Sequence, residues 1–409
     1  MLRVLKSVKR QFFPQFSLPE IARRELEADL RGLSGDDPGS EAVIAACTKW
    51  LCMAQDKSAS QDGGVARDFS LLNGWATSYP ETTGYIIPTM IALACRDDDL
   101  ALHARARRML DWCVAIQFAD GGFQGGKIDA MPRVPVTFNT GQILIGLAAG
   151  AAEYGDASYV DAMHRAASWL RDSQDADGCW RKFPTPFANR GEKAYETHVA
   201  WGLFEAERIA PGHGYGAAGL RQVEWALGKQ EANGWFASNC LTEMEKPLTH
   251  TIGYVLRGVI EGHLLSGRPD LLQAAIRTAN SLLCAIGPGG YMAGRLDRNF
   301  GPAAHFACLT GSVQIAHCFF LLYRLLGEAR YLVAGQMLTA FVRRTVRIDG
   351  SDGSDGSDGR TGGIKGSFPV NGEYGRWQYL NWAAKFCIDA NLLEIELAAA
   401  AQVSTSANA

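Results

Sequence analysis

An all-α chain closed into an (α/α)6 toroid, six helical hairpins with inner and outer rings, is the fold that this 409-residue sequence predicts. Three observations lead there. Glycine loops recur at a nearly fixed stride: Gln61-Asp62-Gly63-Gly64-Val65, Asp120-Gly121-Gly122-Phe123, Asp177-Gly178-Cys179-Trp180, Asn233-Gly234-Trp235-Phe236 and Pro288-Gly289-Gly290-Tyr291. Their glycines step by about 55 to 58 residues, enough for one helical hairpin with its loops. Between the loops, an apolar helix alternates with a more charged one. Finally, the chain opens with an unpaired outer-type helix and ends with an unpaired inner-type helix, so pairing the two closes a ring and hides both terminal faces.

The apolar, inner helices are expected to begin at Thr82-Thr83-Gly84, Asn139-Thr140-Gly141, Glu196-Thr197-His198, His250-Thr251-Ile252, Leu309-Thr310-Gly311 and Leu380-Asn381-Trp382. Their low charge implies protein on most sides, and the threonines are suited to capping. The charged partners, near 102–115, 159–172, 217–230 and 271–285, repeat apolar positions every three or four residues, the mark of one buried face. The closing pair lies near 40–55 and 379–400. A sixth glycine loop, Gly362-Gly363-Ile364, arrives late because a low-complexity Gly-Ser-Asp tract at 349–359 precedes it; that tract reads as a flexible loop without the ligand order of a calcium site.

The toroid is expected to span 39–402, preceded by a basic leader at 1–38 and followed by a disordered tail at 403–409. The leader's first 18 residues mix Leu2, Val4, Leu5, Phe12 and Phe13 with Arg3, Lys6, Lys9 and Arg10. They read as a helix docked on the ring or as a basic amphipathic segment touching an anionic membrane. A net charge of -3 with mixed signs argues against nucleic acid as a partner. The ten cysteines are scattered singly with no C-x-x-C pair, which suggests reduced core thiols in a cytoplasmic protein. No apolar run looks long enough to span a bilayer.

The Gln-x-x-Asp-Gly-Gly-Phe-like loops resemble those of the α/α-toroid superfamily of terpenoid cyclases and protein prenyltransferases, over nearly all of residues 40–400. More narrowly, Tyr-Pro-Glu-Thr-Thr-Gly-Tyr (79–85), Phe-Asn-Thr-Gly-Gln (138–142), Leu-Thr-His-Thr-Ile-Gly-Tyr (248–254) and Gly-Gly-Ile-Lys-Gly-Ser-Phe-Pro (362–369) are similar to strings in bacterial toroid proteins encoded among exopolysaccharide-biosynthesis enzymes, as is Asn381-Trp382-Ala-Ala-Lys385-Phe386. That resemblance implies a pathway more firmly than a reaction. Cyclase chemistry uses an Asp-x-Asp-Asp acid in that superfamily. The only aspartate cluster here, Asp97-Asp98-Asp99, stands just before an outer helix, where it reads as a cap. The prenyltransferase zinc set of Asp, Cys and His is not matched either, since Cys240 with His250 or His305 lacks the motif spacing. No metal and no cofactor are expected.

In a hairpin ring, the glycine loops bring six inner-helix N-termini to one mouth, whose free N–H groups and dipoles favour an anionic ligand. Residues that differ between repeats at those starts are the functional candidates. Glu81, Glu196, His198 and His250, with Tyr79, form the expected catalytic set, as acids and bases. The helix N-termini should lower the carboxylate pKa values and keep the imidazoles neutral. Tyr85, Tyr195, Tyr254, Tyr374 and Tyr379 offer flat faces and phenols for sugar rings. Asn139, Asn381 and Trp382 complete the polar-aromatic lining, and Arg257, Arg376 and Lys365 could pair with a substrate carboxylate. The loop at 368–377 is rich in large side chains and reads as a wall or lid over the mouth, or as ring-closing packing.

These residue types point to a carbohydrate-active enzyme working on an anionic saccharide or glycolipid. Proton abstraction beside a carboxylate, as in uronate epimerases and lyases, needs a base plus neutralisation of the carboxylate. Glycoside hydrolysis needs two carboxyls across one bond, and Glu81 with Glu196 is the candidate pair. The alternatives are a non-catalytic saccharide-binding or assembly scaffold and, on fold and aromatic content alone, a terpenoid cyclase or prenyltransferase-like enzyme.

Overall fold

A computed structural model describes residues 18–33, 35–348 and 358–407, with side chains through 402. A short helix, α1 (Glu20–Leu30), precedes twelve ring helices. The outer ring comprises α2 (Ser40–Asp56), α4 (Leu100–Ile116), α6 (Ala157–Ser173), α8 (Tyr215–Leu227), α10 (Pro269–Cys284) and α12 (Ala329–Arg343). The inner ring comprises α3 (Pro80–Asp97), α5 (Thr137–Tyr154), α7 (Thr197–Ile209), α9 (Thr249–Ser266), α11 (Leu309–Leu326) and α13 (Asn381–Ala407). Each inner helix packs on the next, and α13 returns to α3 and α2. The ring is closed, and its α3–α13 seam is tied by Thr89 Oγ1 donating to Asp389 Oδ1 at 2.6 Å.

The two rings bury different patterns. Outer helix α10 buries one stripe, Leu271, Ala274, Ala275, Thr278, Ala279 and Leu282, at helical spacing. Inner helix α11 buries Leu309, Val313, Ile315, Phe319 and Phe320 on several faces. By length and composition, α11 is apolar enough to cross a bilayer, contrary to the sequence expectation. Here it is packed against α9, α12 and α13, which accounts for its composition.

The glycine loops make the ring. In the second, third and fourth copies, a glutamine amide donates both to the loop carbonyl or a neighbouring hydroxyl and to the next outer helix: Gln117 to Gly121 O and Ala162 O, Gln174 to Gly178 O and Ala218 O, Gln230 to Ala274 O and Thr278 Oγ1. The aspartate or asparagine that follows accepts an N–H within the turn, as Asp120 does from Gly122. The glycine itself has positive φ and presses on the next repeat's outer helix. A Cβ at Gly121 would lie 2.5 Å from Arg165 O, and one at Gly362 would lie 2.1 Å from Ala46 O. Gly362 thus docks the sixth loop on the first outer helix. In the fifth loop Gly290, rather than Gly289, takes the docking position against Met337 O.

The inner-helix threonines do not cap. The residues flanking the helix starts are Tyr79, Val136, Glu196, Leu248 and Cys308, and only Cys308 makes a side-chain cap bond. Thr83 and Thr140 instead accept the N–H of the residue after the glycines, Val65 and Phe123, and so clip each loop to its helix. Asp99 does cap α4, accepting from the N–H groups of Ala101 and Leu102.

Two terminal features complete the frame. Helix α1 buries Ala22 and Leu26, and its Glu25 and Asp29 pair with Lys365. The backbone of α13 continues to Ala407, past the expected boundary at 402. The amphipathic reading of 1–17 and most of the 349–359 tract fall outside the described residues.

Candidate active site at the mouth of the ring

The inner-helix N-termini surround a cavity of about 200 Å³. That is below the ~300–1,000 Å³ typical of drug-sized sites, so it suits one ring-sized group. Tyr79, Glu81, Tyr85, Asn139, Tyr195, His250, Tyr254, Tyr374 and Trp382 all line it, so the ring gathers nine of the expected residues in one place. Phe138, Thr251, Arg67, Leu241, Thr185 and Phe187 complete the wall.

Glu81, in the first turn of α3, is the central acid. Its Oε2 accepts from Tyr79 Oη at 3.1 Å and from Asn139 Nδ2 at 3.0 Å. Burial raises its pKa to about 7, against the lowering pull of the Tyr79 hydrogen bond and the Arg67 charge. The expectation of a lowered carboxylate therefore fails at this position: loss of water outweighs the helix terminus. Glu81 is poised near neutrality, able to give or take a proton.

His250 stands on α9, three places round the six-helix inner ring from α3. Its Nδ1–H donates to Gln314 Oε1 at 2.7 Å, which fixes the tautomer and leaves the Nε2 lone pair free. The ring lies 4.3 Å from that of Tyr254 and 5.2 Å from that of Tyr374. Burial pushes its pKa down to about 4, so the imidazole is neutral, as expected from sequence. His198 repeats the device, with Nδ1 on Gln142 Oε1 at 2.6 Å. It lies on the other side of Tyr254, at 4.3 Å, buried beside Trp201 and away from the cavity wall.

Arg67 supplies the cavity's cation. It bonds Asp68 Oδ2 at 2.6 Å and sits 5.1 Å over Trp382 and 5.9 Å from Tyr79. It is absent from the cations that the sequence suggests, Arg257, Lys365 and Arg376. Arg67 follows the first glycine loop directly, Gly63-Gly64-Val65-Ala66-Arg67, and the signal was there. Phe187 and Leu241 belong to long connections preceding α7 and α9, whose course no periodicity gives.

The remaining expected residues are engaged elsewhere. Lys365 is buried in the ion cluster with Glu25 and Asp29, which ties α1 to the sixth loop. Tyr379 lies in a short strand (Gln378–Leu380) paired with Asp68–Ser70 and packs on Phe69. Asn381 donates to Ala66 O. Arg257 is deeper in the ring, donating to His317 Nδ1 and pairing with Glu261, 4.0 Å over Trp201. Arg376 is exposed and off the wall. These five hold the frame or lie outside the cavity. Glu196 flanks the start of α7 and lines an adjoining groove with Tyr195; burial raises its pKa to about 8. The 368–377 loop serves both expected roles. Tyr374 walls the cavity, its Oη accepting from Trp382 Nε1 at 2.7 Å, while Phe368 and Trp377 bond to the fifth and first repeats.

A closed ring of six hairpins with an acid, a neutral imidazole and a guanidinium around one aromatic pocket defines the molecule as an (α/α)6 toroid with a candidate active site. Solved structures share this architecture. They include an unsaturated glucuronyl hydrolase specific for heparin (14% identity, TM-score 0.67, 89% of this chain and 98% of that one). A cellobiose 2-epimerase from Spirochaeta thermophila matches at 14% identity and TM-score 0.69, over 93% of this chain and 100% of that one. A D-mannose isomerase matches at 12% identity and TM-score 0.66, over 87% and 97%. No protein-family model and no curated protein sequence matches the chain. At such identities the likeness establishes the fold.

Proposed function

We propose that this protein is a saccharide-processing enzyme that moves a proton at a sugar carbon beside a carboxylate or carbonyl, the chemistry of uronate epimerases and lyases. The observation that carries this reading is the pairing of Glu81 with His250 on facing inner helices around one cavity. Glu81, held by Tyr79 and Asn139, can donate or accept near neutral pH. His250, oriented by Gln314, offers a free Nε2 on the other side. Arg67 and the positive dipole ends of α3, α5 and α9 favour the negative charge that develops on the substrate oxygens. Tyr85, Tyr254 and Trp382 provide flat faces for a sugar ring. That solved toroids of similar shape include a glucuronyl hydrolase, an epimerase and a sugar isomerase supports a saccharide substrate.

Hydrolysis is the weaker reading. Its two carboxyls should face one bond, whereas Glu81 lines the cavity and Glu196 lines the adjoining groove. A binding scaffold would have no reason to hold an acid and a base in this way. The role in exopolysaccharide biosynthesis, a cytoplasmic location and membrane contact through residues 1–18 are parts of the same proposal, resting on the sequence resemblance and the basic leader. Incubation of the protein with acidic mono- and oligosaccharides in deuterated water provides the test. Solvent deuterium in the sugar, or an unsaturated product, supports the proposal. Chain cleavage without either indicates hydrolysis, and binding without turnover overturns the enzymatic reading.

A further inference from the structure

Beside the mouth lies a second concavity of about 460 Å³ that shares Phe138, Thr185 and Tyr195 with the central cavity. The two spaces therefore adjoin across one aromatic wall. Two ionisable side chains that line the groove are more than nine-tenths buried, Lys193 at 5% exposure and Glu196 at 7%. Lys193 Nζ has a backbone carbonyl, Cys240 O, at 3.2 Å. Glu196 Oε2 is buried with no hydrogen-bond partner among the described residues. Buried polar groups are nearly always paired, and an unpaired one beside a groove leaves an acceptor for a water or a ligand. Arg190, exposed on the same wall, has no ion-pair partner among the described residues, whereas Glu192 is already held by Arg181 and Lys229. The groove thus keeps spare donors, and Trp180 adds an aromatic surface.

We infer that this groove is a second sugar subsite, which takes the unit next to the reacting ring and recognises an acidic substituent on it through Lys193 and Arg190, with Glu196 bonding a ring hydroxyl. The inference rests on the proposed saccharide substrate and specifies it further: an acidic oligosaccharide rather than a single sugar. The central cavity holds one ring, so the neighbouring unit must lie elsewhere, and the shared Phe138–Tyr195 wall is where the linkage would cross.

Calorimetric titration of the full chain with glucuronic acid, a disaccharide of two glucuronates and cellobiose tests this. The acidic disaccharide is expected to bind about tenfold or more tightly than glucuronic acid, and cellobiose to lack that gain, as for one charge-assisted contact. Lys193→Met should abolish most of the gain while leaving glucuronic acid binding as it was. Arg190→Ala, at an exposed position that does not threaten folding, should reduce the gain several-fold. Equal affinities for the acidic disaccharide and the monosaccharide, with deuterium exchange intact on the latter, overturn the subsite and leave the proposed reaction standing. If none of the three probes binds, the subsite and the saccharide reading fall together.

Discussion

Replacing Glu81 with glutamine should make the protein more stable at alkaline pH while removing its activity, and the size of the effect follows from the site. The carboxyl has an ordinary pKa of 4.5 and is held at about 7 in the folded chain, with burial as the leading cause. A value raised by folding means that the folded state binds the proton more tightly. The associated stability is therefore complete below about pH 4.5 and lost progressively as pH rises through about 7. At ~1.4 kcal/mol per pH unit, that interval corresponds to ~3 kcal/mol, and the side chain's partial access to the cavity reduces it to ~2 kcal/mol. Glutamine keeps the shape and can still accept from Tyr79 or Asn139, but it has no charge to desolvate. Urea unfolding of both proteins at pH 4.5, 6 and 8.5 would measure it. The variant's stability relative to the parent should rise by ~2 kcal/mol between the first and last conditions. A pH-independent difference would refute the idea that Glu81 carries a strongly raised pKa, and with it the case for a group poised at neutrality.

Further outcomes follow from the same geometry. If Glu81 gives its proton to the substrate and His250 accepts one, turnover should fall above about pH 7 and again below about pH 4, as a pH–rate profile would reveal. His250→Asn should lower kcat by ~10²–10⁴-fold. Gln314→Leu, which removes only the acceptor that sets the tautomer, should lower kcat by about tenfold with KM little changed. Lys365→Met should destabilise by ~3 kcal/mol in chemical denaturation, because Asp29 would stay buried without its cation, while Glu25 keeps Arg347 and Arg360. Gly362→Ala should cost ~2–4 kcal/mol and lower the melting temperature, since a Cβ there meets Ala46 O at positive φ.

Much of the architecture was legible because the repeat writes the same instruction in each unit. Gln117, Asp120, Gly121 and Thr140 each make a bond or contact that their counterparts repeat, so the spacing carried both the hairpin count and the closure. The threonine's task was misread: a hydroxyl near a helix start suggests a cap, and only coordinates reveal that Thr83 and Thr140 face the preceding loop. At the site, residues flanking the inner-helix starts, such as Glu81, Asn139 and His250, could be found because closure forces them to one mouth. Lys365 and Tyr379 could not be sorted from them, since their partners Glu25 and Asp68–Ser70 lie more than 300 positions away in the sequence. Phe187 and Leu241 sit in connections whose paths no periodic rule constrains. The sign of the Glu81 shift was missed because a sequence displays a helix terminus but not the depth of the water it excludes.

The inner bore beneath Tyr85, Tyr254 and Phe386 is occupied by charged side chains that answer one another: Lys385 with Asp389, and Arg257 with Glu261 and His317. None of these charged groups lines the cavity, whose wall on that side is Tyr85 and Tyr254. On the proposed saccharide reading, a cavity of about 200 Å³ admits one ring of a long glycan and leaves the remainder outside.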